Sequence, residues 1–158
     1  ATVEENVRFP MDFFTDWSKE EKLERVNFCL KRVNILNSNK KIPAELSGGM
    51  QKRVGIARAI ALNPKYLFCD EPNSGLDPTT SILIDHLIQE ITQEYNITTI
   101  INTHDMNSVI EIGNKIGFIY NGEKKWEGSN KEILQTECKE LNDFVFASPI
   151  AKQLKSFL

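Results

Sequence analysis

Apolar side chains recur along this 158-residue chain with two different periods. After Ser18, the residues Leu23, Val26, Leu30 and Val33 stand three or four apart, with Lys, Glu and Arg between them. That spacing lines one face of a helix. It predicts an amphipathic helix of about five turns, ending near Asn37-Ser38-Asn39. Thr2 with Glu5, and Ser18 with Glu21, fit the S/T-x-x-E pattern in which each partner satisfies a backbone N–H of the other. The first third therefore reads as helical. A polar link containing Pro43 leads to LSGGMQKR (46–53). From Met50 the helical period returns, with Val54, Ala57 and Ala61 on one stripe and Ile56 and Ile60 beside it. Asn63-Pro64 is the expected stop, because proline disfavours helix at the residue before it.

The period then changes. Tyr66 to Cys69 is a short apolar run, the pattern of a strand buried on both faces. The loop NSGLDP leads into a predicted helix over 79–95, with Leu83, Leu87 and Ile91 four apart. Asp77 is placed to cap that helix, with Pro78 at its first position. Asn96 breaks it, and ITTIINT is rich in the β-branched residues that strands favour. A short helix is expected at 106–112. Asn121-Gly122 between KIGFIY and EKKWEG is a hairpin signal. Ser129 with Glu132 repeats the capping pattern, and the tail to Leu158 reads as helix and loop. The order strand, helix, strand, helix, strand from 66 to 120 argues for a parallel α/β sheet.

Composition narrows the classes. Hydrophobic residues make up 41% and charged residues 26%, enough apolar content for one domain with a core. A net charge of -3 disfavours a nucleic-acid or acidic-membrane footprint. Cys29, Cys69 and Cys138 form no C-x-x-C, so buried free thiols are expected rather than disulfides or zinc. No apolar run reaches the roughly 20 residues of a membrane helix. ATVEENVRF lacks the shape of a signal peptide. It also lacks an initiator methionine, so Ala1 is expected to follow an upstream segment.

Three features carry candidate chemistry. Asp70 and Glu71 stand at the carboxyl end of a predicted strand, where parallel sheets bind ligands. An aspartate there can serve Mg²⁺ and a glutamate can deprotonate a water; the alternative is two ordinary loop acids. His104 also ends a predicted strand, either as a reactive group or as a satisfied polar side chain. Ser47-Gly48-Gly49 bares backbone N–H groups at a helix start, which suits an anion or is simply a capped helix.

In this order, LSGGMQKRVGIARAIALNPKYLFCDEPNSGLDP (46–78) followed by THD (103–105) resembles the nucleotide-binding domain of ATP-binding cassette (ABC) transporters. LSGGMQ is similar to that family's signature motif, YLFCDE to its Walker B strand, SGLD to its D-loop and His104 to its switch histidine. The resemblance runs from about Thr2 to Gly128. It implies an α/β P-loop NTPase fold, incomplete here: a helical subdomain (1–62), the Walker B, D-loop and H-loop part of the parallel-sheet core (63–128) and a C-terminal helical tail (129–158). It implies ATP and Mg²⁺ as ligands, with Glu71 and His104 catalytic and Asp70 serving the metal. Ser47, Gly48, Gly49, Gln51 and Asp77 would meet nucleotide.

The sequence has no G-x-x-x-x-G-K-[ST]. No glycine precedes Gly48, and none is followed directly by lysine. GFIYNGEK (117–124) has the glycine spacing, but glutamate fills the lysine slot. The family's P-loop and Q-loop lie upstream of the position matching Thr2. The chain by itself is therefore expected not to bind or hydrolyse ATP. In that family two domains pair head to tail, so Ser47, Gly48 and Gly49 would meet a phosphate held by the partner domain. The resemblance implies permease subunits as further partners, no nucleic acid, and a place on the cytoplasmic face of the cell membrane. DEPNSGLDP, THDMNSV and YNGEKKWEGS are similar to the ATPases of Mla-type lipid transport, which points to lipid as cargo. Asn73, where the family often has threonine, is expected to be neutral. The alternatives are an ABC-type ATPase of DNA repair or chromosome structure, and a non-catalytic interaction module.

In ATPases of this type the P-loop strand lies between the strands that match residues 97–103 and 115–120. Without it a slot near 10 Å wide would remain. Those two segments are expected to pair directly, or a second copy of the chain to fill the gap.

Overall fold

A computed structural model describes residues 1–147. The chain divides into two compact units, Ala1–Asn102 and a second beginning at Thr103. In the first unit, helix α1 (Val3–Phe14) and helix α2 (Lys19–Arg32) are opened by the two expected capping boxes. Thr2 Oγ1 accepts from the Glu5 N–H at 3.2 Å while Glu5 Oε2 accepts from the Thr2 N–H at 2.7 Å. Ser18 and Glu21 repeat both distances.

Helix α2 is shorter than its apolar pattern implied. It has 14 residues, because Asn34 turns left-handed with φ 55°. The N–H groups of Asn34 and Ile35 then bond back to the carbonyls of Lys31 and Leu30, a closed C-terminal turn. Val26, Leu30 and Val33 are buried as expected, but Leu23 is 41% exposed and Cys29 takes the interior position.

Helix α3 (Gly48–Ala59) starts at Ser47 and buries Val54, Ile56 and Ala57. It ends before Asn63, where Arg25 of α2 reaches across to its last carbonyls. Arg25 Nε donates to Ala61 O at 2.9 Å and its Nη2 to Ile60 O at 2.8 Å. Strand β1 (Tyr66–Asp70) and strand β2 (Thr98–Asn102) pair in parallel, with Tyr66 opposite Thr98 and Asp70 opposite Asn102. Helix α4 (Pro78–Glu94) joins them, capped by Asp77 with Pro78 in its first turn. It ends at Asn96, left-handed at φ 51°, in the same closed turn as α2: Asn96 N–H to Gln93 O and Ile97 N–H to Thr92 O. On α4, Leu87 and Ile91 are buried but Leu83 is 48% exposed; Ile84 and Ile88 fill the interior face. The core lies among the four helices, from Val3, Val7 and Met11 of α1 to Ile84, Ile88 and Ile91 of α4.

Strand β1 is not buried on both faces. Leu67 is buried, while Tyr66 and Phe68 are 63% and 72% exposed. Helices cover only the face bearing Leu67 and the half-buried Cys69, and alternate side chains point the other way.

In the second unit, helix α5 (Met106–Ile112) matches its expected bounds. Strand β3 (Ile116–Tyr120) and strand β4 (Glu123–Gly128) form an antiparallel hairpin. Asn121 and Gly122 both have positive φ, 50° and 79°, the turn that matches strand twist. The third strand of the pattern thus belongs to an antiparallel pair. Among the described residues the two sheets have orders β1-β2 and β3-β4. A two-residue turn closes the hairpin locally, whereas a parallel ladder needs a crossover. Ser129 takes the expected capping role only in part. Its N–H and hydroxyl both donate to Glu132 Oε2 at 2.7 Å, but the element beyond is a three-residue 3-10 turn, Ile133–Gln135. Helix α6 (Lys139–Val145) supplies the described part of the helical tail; the rest of that expectation lies outside the described residues.

Candidate functional site

Ser47 caps α3 in extended conformation, its Oγ accepting from Met50 N–H at 3.3 Å. Helix geometry leaves the earlier N–H groups without intrahelical partners. No acidic residue occupies the first turn, so the helix brings no carboxylate of its own to the positive end of its dipole. Ser47 and Gly48 are exposed; Gly49 is buried. Both glycines pack closely on what lies behind them, and at Gly49 the space admits no β-carbon without a shift. A β-carbon at Gly48 would stand 3.3 Å from Leu76 Cδ2, and one at Gly49 would stand 2.6 Å from Thr80 Cγ2. The start of α3 and the loop into α4 are thus pressed together, and Asp77 lies in that loop. Asp77 Oδ1 accepts from Thr80 N–H at 3.0 Å, and its other oxygen takes the Thr80 hydroxyl. The Thr80 hydroxyl, and then the Thr80 N–H, hold the Asp77 carboxyl below its ordinary range. Gln51 is exposed, and its Nε2 donates to Leu46 O at 3.2 Å, tying the helix to the segment before it.

Asp70 and Glu71 follow from β1. Asp70 is exposed, and its Oδ1 accepts from Asn102 Nδ2 at 2.8 Å across the ladder. Glu71 is half-buried and left-handed, with φ 47°. For a residue with a β-carbon this costs on the order of 1 kcal/mol. Its backbone is held on both sides. The N–H donates to Asn102 O at 2.9 Å, and the carbonyl accepts from Lys52 Nζ at 2.9 Å and Ser74 Oγ at 3.0 Å. Lys52 belongs to α3, so the signature-like helix and the acidic strand end are joined by one side chain. Asn73 is 4% exposed, and its amide donates to the 2% exposed Asp85 on α4, at 3.3 and 3.4 Å.

His104 lies in the second unit and is exposed. Next to it, Thr103 Oγ1 accepts from Asp105 N–H at 3.0 Å and Asp105 caps α5. The structure thus brings Ser47, Gly48, Gly49, Gln51, Asp70, Glu71 and Asp77 into one unit and leaves His104 in the other. Three residues of the site have no motif to announce them. Lys52, Asn102 and Asp85 act on a carbonyl, a carboxylate and an amide that are 19, 32 and 12 residues away in sequence.

Among the described residues there is no group of three or more His, Cys, Asp or Glu placed to hold a metal ion. Mg²⁺ binds through one or two carboxylates together with phosphates and water. Asp70, exposed and oriented by Asn102, provides a donor of that kind.

The ABC transporter family matches residues 1–74. A methionine import ATP-binding protein of Carboxydothermus hydrogenoformans is 39% identical over 153 residues, covering 97% of this chain and 45% of the relative. Its counterpart in Bacillus subtilis is 36% identical over 140 residues, 89% of this chain and 41% of the relative. A dimeric structure of a bacterial ABC transporter cassette superposes with a TM-score of 0.72 at 34% identity, over 82% of this chain and 57% of that one. Over these stretches the chain is similar to the ATPase domains of ABC transporters. It has the P-loop NTPase fold of those cassettes over part of their length. The chain spans less than half the length of these curated relatives. The two named relatives are methionine import ATP-binding proteins, which supports neither lipid as cargo nor the DNA-repair alternative. No helix among the described residues is long and apolar enough to cross a membrane.

Proposed function

We propose that the protein carrying this chain is the ATP-hydrolysing subunit of an ABC importer of the methionine type. The observation that supports this best is the joining of two chemically distinct ends in one unit: the bare N-terminus of α3 and the Asp70-Glu71 strand end, bridged by Lys52. In this reading Ser47 and the N–H groups of Gly48 and Gly49 bind the γ-phosphate of an ATP held by a second, head-to-tail ATPase domain. Gln51 and Asp77 fix the backbone that meets that nucleotide. Asp70 holds Mg²⁺, which neutralises charge on the β- and γ-phosphates. Glu71 orients and deprotonates the attacking water, and His104 meets the γ-phosphate of the ATP bound by its own domain. Permease subunits carry the cargo, and the ATPase rests on them at the cytoplasmic face of the membrane.

Two measurements test the reading. Glu71→Gln in the protein carrying this chain should retain ATP binding and lower turnover by about 10²–10⁴-fold; unchanged turnover rejects Glu71 as the base. With its permease in lipid vesicles, the protein should drive ATP-dependent accumulation of labelled methionine. Movement of phospholipid without methionine uptake would reject the cargo.

A further inference from the structure

The left-handed backbone of Glu71 needs something to hold it. Its N–H is fixed to Asn102 O. Its carbonyl accepts from Ser74 N–H at 3.2 Å and Ser74 Oγ at 3.0 Å. The two bonds from Ser74 are local to the turn and neutral. The third donor to that carbonyl is different in kind: Lys52 Nζ at 2.9 Å, which also donates to Ser74 Oγ at 3.2 Å. A charged donor makes the stronger hydrogen bond, and this one arrives from another element. Lys52 lies five residues after Ser47 on α3, the helix whose N-terminus faces outward.

We infer that Lys52 is a positioning residue for Glu71. Its ammonium locks the main chain of Glu71 and Ser74 to helix α3, so the direction of the Glu71 carboxylate depends on where α3 stands. Occupancy at the start of α3 is thereby passed to the acid through one side chain. The inference rests on the assignment of Glu71 as the base of an ABC ATPase.

The test uses the ATP-hydrolysing protein that carries this chain. Lys52→Met keeps the aliphatic stem and removes the donor. It should lower kcat between about tenfold and a hundredfold, the scale of a small displacement of a catalytic group, with KM for ATP within about twofold. Lys52→Arg, which keeps a charged donor, should recover most of the loss. Amide exchange at Ser74 should quicken about fivefold or more in Lys52→Met, while that of Ile88 in the core is unchanged. Wild-type kcat in Lys52→Met, a change confined to KM, or faster exchange throughout the chain would overturn the inference. A wild-type protein that hydrolyses no ATP would reject the ATPase assignment instead; Ser74 exchange would then still decide whether Lys52 holds the turn.

Discussion

Gly49 packs against Thr80 so closely that an added β-carbon would lie 2.6 Å from the threonine Cγ2. Thr80 has little freedom to move aside, because its hydroxyl is bonded to Asp77 and its branched side chain is stiff. Helix propensity alone would make Gly49→Ala stabilising by up to about 1 kcal/mol. Overpacking at a buried contact costs about 1–3 kcal/mol, so the clash wins. Gly49→Ala should lower stability in denaturant melts. Thr80→Ser removes the offending methyl and keeps the cap hydroxyl, so the double variant should be more stable than Gly49→Ala alone. Equal stability of the two would show that the contact is not the cause.

Arg25 spans from α2 to the end of α3, where it serves Ile60 O, Ala61 O and Asn63 Oδ1. Arg25→Met keeps the stem and removes every donor. Hydrogen bonds from a charged group contribute about 1.5–3 kcal/mol each at most, and part of the loss is recovered by water. A fall of about 1–3 kcal/mol in unfolding free energy is expected. A loss below about 0.5 kcal/mol would mean that solvent serves these carbonyls equally well.

Asp77 gives a pH signature. Its carboxyl is held below the ordinary range by the Thr80 hydroxyl and N–H. A depressed folded-state value means the ionised form stabilises the fold. That contribution is complete above the unfolded value, near 3.9, and disappears as pH falls through the lower folded value. The melting-temperature gap between wild type and Asp77→Ala should therefore be widest near neutral pH and shrink under acid conditions. A gap that stays constant into strong acid would show that the cap does not depend on charge.

The cysteines should react in a definite order. Burial pushes the Cys69 thiol up to about 11 and raises that of Cys29 as well. Cys29 is fully enclosed, while Cys138 is part-exposed. Only the thiolate is the nucleophile, so at neutral pH a maleimide should label Cys138 first in the native protein. Mass mapping that found Cys69 labelled at the same rate would contradict the packing of β1 against the helices.

Local signals were the most legible part of the sequence. The Ser18–Glu21 box, the Asp77 cap, the Asn96 stop and the Asn121-Gly122 turn each depend on neighbours within a few residues, and each formed. Features that depended on distant partners were not legible. The run Tyr66 to Cys69 looks like an interior strand because its side chains are apolar, yet only the structure shows which face helices cover. Leu23 and Cys29 exchange roles because the helix packs on a slightly rotated stripe. The ordered motif residues marked the site, but the lysine that fastens Glu71 could not be read, since its partners are a backbone carbonyl and a serine hydroxyl on another element.

In the proposed head-to-tail dimer, Ser47 and Glu71 of one chain serve two different ATP molecules. Mixing two inactive variants tests this directly. Ser47→Arg blocks the start of α3, and Glu71→Gln removes the base; each alone should be nearly inactive. In a mixed dimer, one site keeps an intact Glu71 from the first variant and an intact Ser47 from the second. The mixture should therefore regain ATP hydrolysis that neither variant shows separately. A mixture as inactive as its components, with mixed dimers shown to form, would contradict the account.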